Sequence, residues 1–159
     1  MLSRTFLWPQ GYTSAAMISV NLDAEFYGRI FYPGIDVSEG DIQRLGWTGM
    51  EYGLPHLLDC FREHGVKGTF FIPGRVAELY PDAVRAIADA GHELGCHGYE
   101  HEILAHFTPE EQLELLKKAK AAIEKAAGRA VTGFRMPEGE ITEQTLVAAK
   151  EAGFAYSSS

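Results

Sequence analysis

The stretch Gly95-Cys96-His97-Gly98-Tyr99-Glu100-His101-Glu102 places two imidazoles four residues apart, directly after a strand-like segment. On a helix, this spacing would put both rings on one face. Gly98 interrupts the stretch, and the next convincing helix start is Thr108-Pro109-Glu110-Glu111, with a capping Thr, Pro at the first helical position and Glu three residues after the cap. We therefore expect His97 and His101 to lie in a loop at the carboxyl end of a strand, where α/β folds gather ligands and chemistry.

Strand-like and helical segments alternate on both sides of this stretch, which is typical of a parallel sheet. Short apolar runs predict strands at 15–20, 67–72, 92–96, 130–134 and 154–157. Apolar residues at helical spacing, each run closed by a glycine, predict helices at 54–61, 81–90, 109–127 and 142–152. Residues 26–49 show no sustained period and are expected to form a long loop. Such a sheet brings the ends of its strands to one rim, where we expect Asp23, His97, His101 and Arg135.

The composition limits the classes of partner. With 159 residues and a net charge of -8, the chain is expected to form one domain, residues 1–159, and to bind neither nucleic acid nor an anionic membrane. Cys60 and Cys96 are isolated, so we expect core thiols and no disulfide framework. The first residues show no signal-peptide pattern and no stretch is long enough to span a bilayer, which favours a cytoplasmic location.

The residues expected at the rim suit metal-assisted hydrolysis. Two neutral imidazoles and one carboxylate form a facial set for a divalent ion, with positions left for water and a substrate oxygen. The backbone amide of Tyr99 could act as an oxyanion donor, and Arg135 could orient a carboxylate base. Other interpretations stay open, because a His-x-x-x-His spacing alone is a weak sign, Asp23 could be a cap or turn residue, and Arg135 could be a structural ion-pair donor.

Motifs spread over nearly the whole chain form a specific signature: Trp8-Pro9-x-Gly11, Asp23-Ala24-Glu25, Glu51-Tyr52-Gly53, Gly68-Thr69-Phe70-Phe71-Ile72-Pro73-Gly74, Gly91-His92-Glu93-Leu94-Gly95, His97-Gly98-Tyr99-Glu100-His101-Glu102, Gly133-Phe134-Arg135-Met136-Pro137 and Gly153-Phe154-Ala155-Tyr156. Together they resemble the polysaccharide deacetylases that share the NodB homology domain, and most of all the branch with peptidoglycan-deacetylase-like and allantoinase-like proteins. The resemblance implies an α/β fold with an irregular (β/α)-barrel. It also implies a metal-dependent hydrolase that removes acetyl groups or opens a related C–N amide bond.

The resemblance also assigns roles to particular residues. It implies three ligands for a divalent metal, expected to be zinc: Asp23, His97 and His101. The family's arginine, which positions the catalytic base, falls on Arg135. In this branch the base is an Asp, but Asn21 stands at its position. An amide cannot accept a proton at neutral pH, so base catalysis is expected to be impaired unless Glu25 or another carboxylate substitutes.

The resemblance further predicts that the barrel is not closed. The family's leaving-group acid is a His that follows further strands, and the sequence ends at Ser159 before that region. About five strands and four helices do not close a barrel, so the domain is expected to be truncated or completed by a partner chain. We expect a homo-oligomer, since the sheet would keep an open edge.

Three functions remain open from the sequence. The first is N-deacetylation of an acetylated sugar, with base catalysis weakened by Asn21. The second is hydrolysis of a cyclic amide or ureide, as in the allantoinase-like branch. The third is a catalytically silent binding or assembly module that keeps the scaffold. The expected substrate is a small molecule or an oligosaccharide.

Overall fold

A parallel sheet of five strands organises the computed structural model, which describes residues 11–29 and 38–159. The motif residues Trp8 and Pro9 lie outside this part. The strands are β1 (Ser19–Asn21), β2 (Thr69–Ile72), β3 (Glu93–Cys96), β4 (Gly133–Phe134) and β5 (Tyr156–Ser157). They pair in chain order, all parallel, without the reversal that marks a doubly wound sheet. This order is typical of (β/α)-barrels, and the expected fold class and the five strands are confirmed.

Helices fill each connection between consecutive strands. The α-helices of the described residues are α1 (Glu39–Thr48), α2 (Leu54–Glu63), α3 (Gly74–Leu79), α4 (Pro81–Asp89), α5 (Pro109–Ala127) and α6 (Glu143–Glu151). A π-helical turn, Gly49–Gly53, joins α1 to α2, and short 3-10 helices cover Ala24–Arg29, Leu104–His106 and Pro137–Gly139. The four expected helices correspond to α2, α4, α5 and α6. The glycines expected to close them, Gly65, Gly91, Gly128 and Gly153, all have positive φ.

The expected loop at 26–49 is wrong over its described part. It holds a 3-10 helix and α1, whose first turn is capped by the Ser38 side chain. The helix packs on residues 24 and 25 through Gly46, because a Cβ at Gly46 would overlap the backbone of Glu25. The residue through which α1 makes this contact is therefore a glycine. It adds no apolar side chain to the helical spacing from which a helix would be predicted.

Two smaller expectations are also corrected. The first strand is shorter than the apolar run at 15–20, and Met17 and Ile18 are exposed, since β1 pairs only with β2 among the described strands. Cys60 is an exposed thiol on α2, whereas Cys96 is buried as expected. No helix in residues 11–29 or 38–159 combines the length and apolar character needed to cross a membrane.

The sheet buries both of its faces, as the continuous apolar pattern of β2 requires. Phe70 and Ile72 join a core that α4 and α5 cover with residues such as Ile87 and Ile123. Phe71 points to the opposite face, where its ring lies over Gly95 of the neighbouring strand. The rim above this second face carries the polar residues described next.

Candidate metal centre

Three side chains from two strand ends meet at the rim. Asp23 follows β1 at the start of a 3-10 helix, and His97 and His101 follow β3 in a loop, as expected. His97 Nε2 lies 3.7 Å from Asp23 Oδ1, and His101 Nε2 lies 3.8 Å from Asp23 Oδ2. One ligand atom from each of the three residues lies within 4.8 Å of the others. The structure thus brings together the three predicted ligands, although 74 positions separate the first two in sequence.

The donor atoms suit a bound cation. Nδ1 of His97 lies 2.9 Å from the Arg135 carbonyl oxygen, which can only accept, so this nitrogen carries the proton and Nε2 presents a lone pair to the site. Asp23 Oδ1 and His97 Nε2 are buried and have no hydrogen-bond partner in the described structure. Neighbouring ligand atoms in a tetrahedral zinc site are about 3.3 Å apart, so a small contraction would let the three side chains bind such an ion.

Burial sets the protonation of the three side chains. It raises the pKa of Asp23 to about 7, and the negative charge of Glu138 adds to this shift. Burial also lowers the pKa of His97 to about 4, against the opposing effect of its hydrogen bond to Arg135, and lowers the pKa of His101. Both imidazoles are therefore neutral near pH 7, the form that binds a metal.

The loop that carries the histidines is held from two sides. Glu102 turns back and accepts hydrogen bonds from the backbone amides of Tyr99 and Glu100, at 2.8 and 2.5 Å. On the other side, the first amides of α3 donate to the carbonyls of Gly98 and Tyr99. These contacts fix the loop without a helix and so set the separation of the two imidazoles.

The expected role of Tyr99 as an oxyanion donor does not fit this arrangement. Its amide already donates to Glu102, so it could reach a substrate oxygen only after that hydrogen bond breaks. The Tyr99 side chain is buried, donates to Glu78 at 3.0 Å and lies under the ammonium of Lys118. Tyr99 therefore acts in this structure as an anchor of the loop.

Arg135 reaches Asn21, the residue that stands at the expected position of the base. Its Nη1 donates to Asn21 Oδ1 at 2.9 Å, across the sheet from β4 to β1. The guanidinium also stacks 4.1 Å from the centroid of the Phe71 ring and donates to Ser158. Arg135 and Asn21 are thus in direct contact, and their expected catalytic roles stay predictions.

Glu25, the proposed substitute base, is turned toward another partner. Its carboxylate accepts a hydrogen bond from the Tyr80 hydroxyl at 3.2 Å, and it is not part of the cluster formed by Asp23 and the two histidines. To act as a base in place of Asn21, it would have to leave Tyr80.

Glu138 is a site residue that the sequence reasoning missed. Its Oε1 lies 3.8 Å from His101 Nε2, and its side chain is 28% exposed. The available signal was its place one residue beyond Arg135-Met136-Pro137, a motif at a strand end. Carboxylates on charged loops are common, however, and the sequence gives no backbone direction at this position.

Comparisons with known proteins agree with this geometry. The family model described as polysaccharide deacetylase matches residues 47–157. A peptidoglycan deacetylase of Helicobacter pylori is 36% identical over 125 residues, which are 79% of this chain and 42% of that protein. The chain therefore spans less than half the length of this relative.

Solved structures give the same picture. A putative polysaccharide deacetylase from Mycobacterium smegmatis superposes with a TM-score of 0.83 and 33% identity, over 96% of this chain and 53% of that one. A pseudoenzyme of the CE4 family from Bacillus anthracis superposes with a TM-score of 0.65 and 30% identity, over 69% of this chain and 38% of that one. A mutant of the latter protein has restored enzymatic activity.

Proposed function

The chain belongs to the polysaccharide deacetylase family, and from this premise we propose that it is a metal-dependent hydrolase of N-acetyl groups on a saccharide. The observation that carries the proposal is the buried cluster of Asp23, His97 and His101, with its unpartnered donor atoms. A divalent cation, with zinc proposed first, would polarise the acetyl carbonyl and lower the pKa of a bound water. The three side chains would hold that cation, and the relatives' names suggest amino sugars of peptidoglycan type.

The remaining residues define how well the chain can catalyse this reaction. Arg135 stacks on Phe71 and donates a hydrogen bond to Asn21, which stands at the proposed position of the base. The Asn21 side chain is an uncharged amide, which cannot take a proton from water at neutral pH. We therefore propose that the wild-type chain hydrolyses its substrate slowly. The pseudoenzyme relative shows that loss of activity occurs within the family.

Asn21→Asp tests this explanation. The new carboxylate would lie beside Arg135 and could act as the general base, a role that contributes about 10²–10⁴-fold to a rate. We expect release of acetate from chitooligosaccharides by the zinc-loaded chain to rise at least about 100-fold.

The control is the same substitution in a His97→Ala background, which should return the rate to that of buffer. His97 contributes a proposed ligand and no proton transfer, so this control separates loss of metal from loss of the base. A zinc-loaded Asn21→Asp chain that releases acetate no faster than the wild type would contradict the assignment of Asn21.

A silent binding module is the second candidate, and Asn21 itself favours it. Such a module predicts binding of the saccharide without hydrolysis, even when the metal is bound. Hydrolysis by the wild-type chain that disappears in His97→Ala would exclude it.

Two further properties remain predictions from the sequence. For the homo-oligomer, light scattering at micromolar concentration would be decisive, because a monomeric mass contradicts it. The cytoplasmic location can be measured by fractionation of cells.

A further inference from the structure

Glu138 is held beside the predicted metal ligands by the turn that follows β4. The turn Pro137–Gly139 packs on the histidine loop, because a Cβ built on Gly98 would lie 3.1 Å from Pro137 Cγ. At the preceding residue, the Met136 amide donates to the Ser159 hydroxyl at 2.7 Å. Glu138 thus follows two buried residues, Met136 and Pro137, at the point where the chain returns to the surface.

The backbone at Glu138 is strained. Its φ is 58° and its ψ is 0°, in the left-handed region, although the residue is not a glycine. Such a conformation is unfavourable for a residue with a side chain and persists where the surroundings impose it, often at functional sites. Gly139, the next residue, also has a positive φ, and there the conformation is unstrained.

The carboxylate faces the same nitrogen that Asp23 faces. Glu138 Oε1 and Asp23 Oδ2 each lie 3.8 Å from His101 Nε2. If Nε2 gives its lone pair to a cation, it carries no proton and cannot donate a hydrogen bond to Glu138. The attraction that remains for the carboxylate is then the cation itself. The side chain of Glu138 is partly exposed, which leaves room for it to rotate toward the cation.

We propose that Glu138 is a fourth protein ligand, so that the chain binds its divalent cation through two imidazoles and two carboxylates. This inference rests on the metal site of the proposed function. Two carboxylates would balance the charge of a divalent ion. A fourth protein ligand would occupy a position that a three-ligand site leaves to water, so the water of the proposed function would bind as a fifth ligand or after Glu138 leaves the cation. Glu138 would therefore compete with small carboxylates, such as the acetate product, for that position.

The test compares Glu138→Gln with Glu140→Gln on the same chain. Glu140 is an exposed residue two positions away, so its substitution makes the same charge change at the rim of the site. Zinc affinity is measured by competition with a chromophoric chelator, and coordination by the visible absorption of the Co²⁺-loaded chains. Wild type and Glu140→Gln should bind one equivalent equally well. Glu138→Gln should raise the zinc Kd at least about tenfold, alter the Co²⁺ absorption and increase the affinity for acetate.

Glu138→Gly controls for an effect of the substitution on folding, because it removes the carboxylate and also relieves the strained backbone. It should weaken zinc binding as Glu138→Gln does, with no loss of thermal stability in the metal-free chain. Unchanged Co²⁺ absorption in Glu138→Gln, with or without weaker binding, would overturn the inference and leave the three-ligand site intact. A wild-type chain that binds no metal would overturn both the inference and the proposed function.

Discussion

Asp23 is a buried carboxylate beside two imidazoles, and its burial disfavours the ionised form. The shifts of the two buried groups oppose each other as the pH changes. The pKa of Asp23 is about 7 in the folded chain, whereas its ordinary value is 3.8. The free energy of unfolding therefore falls as the pH rises from 3.8 to about 7. The pKa of His97 is about 4 in the folded chain, whereas its ordinary value is 6.5. The free energy of unfolding therefore increases as the pH rises from about 4 to 6.5. The effects of Asp23 and His97 therefore oppose each other, and the lowered pKa of His101 acts in the same direction as that of His97.

Metal binding should depend on pH through Asp23. This carboxyl must lose its proton before it can bind a cation, whereas His97 is already neutral above about pH 5. Zinc affinity is therefore expected to rise about tenfold per pH unit up to about pH 7 and to level off above it. Titration calorimetry in buffers of different ionisation enthalpy should detect about one proton released per zinc at about pH 6, from Asp23, whereas any proton released at about pH 8 comes from zinc-bound water. Equal affinities at these two pH values would show that Asp23 is ionised without the metal.

Reasoning from strand ends located part of the site and missed the rest for an identifiable reason. Asp23, His97 and His101 could be grouped because parallel strands end at one rim. That rule fixes a position along the chain but not the backbone direction, so it could not show that Glu138 turns inward with a positive φ. Nor could it show that Glu102 folds back onto the Tyr99 amide.

Among the elements, the short helix α3 has the closest link to the site. Its first residue, Gly74, has no room for a side chain, since a Cβ there would lie 2.5 Å from Ala119 Cα and 2.9 Å from Tyr99 Cδ2. This close approach lets α3 reach the carbonyls of the histidine loop while it packs on α5. The sequence did not predict α3, because this helix has only six residues and begins at a Pro-Gly pair, which also predicts a turn.

Gly74→Ala should therefore damage both stability and the site. The added methyl group must push α5 or Tyr99 away, and overpacking of this kind costs about 1–3 kcal/mol. We expect a matching fall in the free energy of unfolding in urea, together with weaker zinc binding. Gly49→Ala is the matched control, because Gly49 has helical φ and ψ and nothing lies near a Cβ there. It should raise stability by up to about 1 kcal/mol. A Gly74→Ala chain as stable as the wild type would mean that α3 and α5 can separate freely.

At the scale of the whole molecule, a bound cation would join the ends of two strands that are not neighbours in the sheet. Asp23 belongs to the end of β1 and the two histidines to the end of β3, with β2 between them. The alternation of strands and helices predicted a parallel sheet, and the order of its strands follows the barrel that the resemblance implied. The extra helices in the first two connections were not predicted, because Gly46 and Gly74 make their contacts without side chains.

Metal loading should stabilise the entire chain. A ligand that binds only the folded state at 1,000 times its Kd adds about 4 kcal/mol to the free energy of unfolding. For a domain of this size, we expect a rise in Tm of about 8–16 °C with zinc, reversed by a chelator. Calorimetry of the wild type and of His97→Ala checks this, since the variant should melt at one temperature with or without zinc. An equal rise in both chains would place the bound zinc elsewhere.

The hydrogen bond between Asn21 and Arg135 also has a consequence for biosynthesis, because it joins residues 114 positions apart. A ribosome that adds about 5–20 residues per second needs about 6–23 s to make that stretch. During this interval the nascent chain already displays Asp23, and later both histidines, but the carbonyl that orients His97 does not yet exist. Cations that meet the chain at this stage encounter three unconstrained side chains, which bind by intrinsic affinity rather than by geometry. In the proposed metal site, the geometry that would select the ion is therefore complete only after residue 135 has been added.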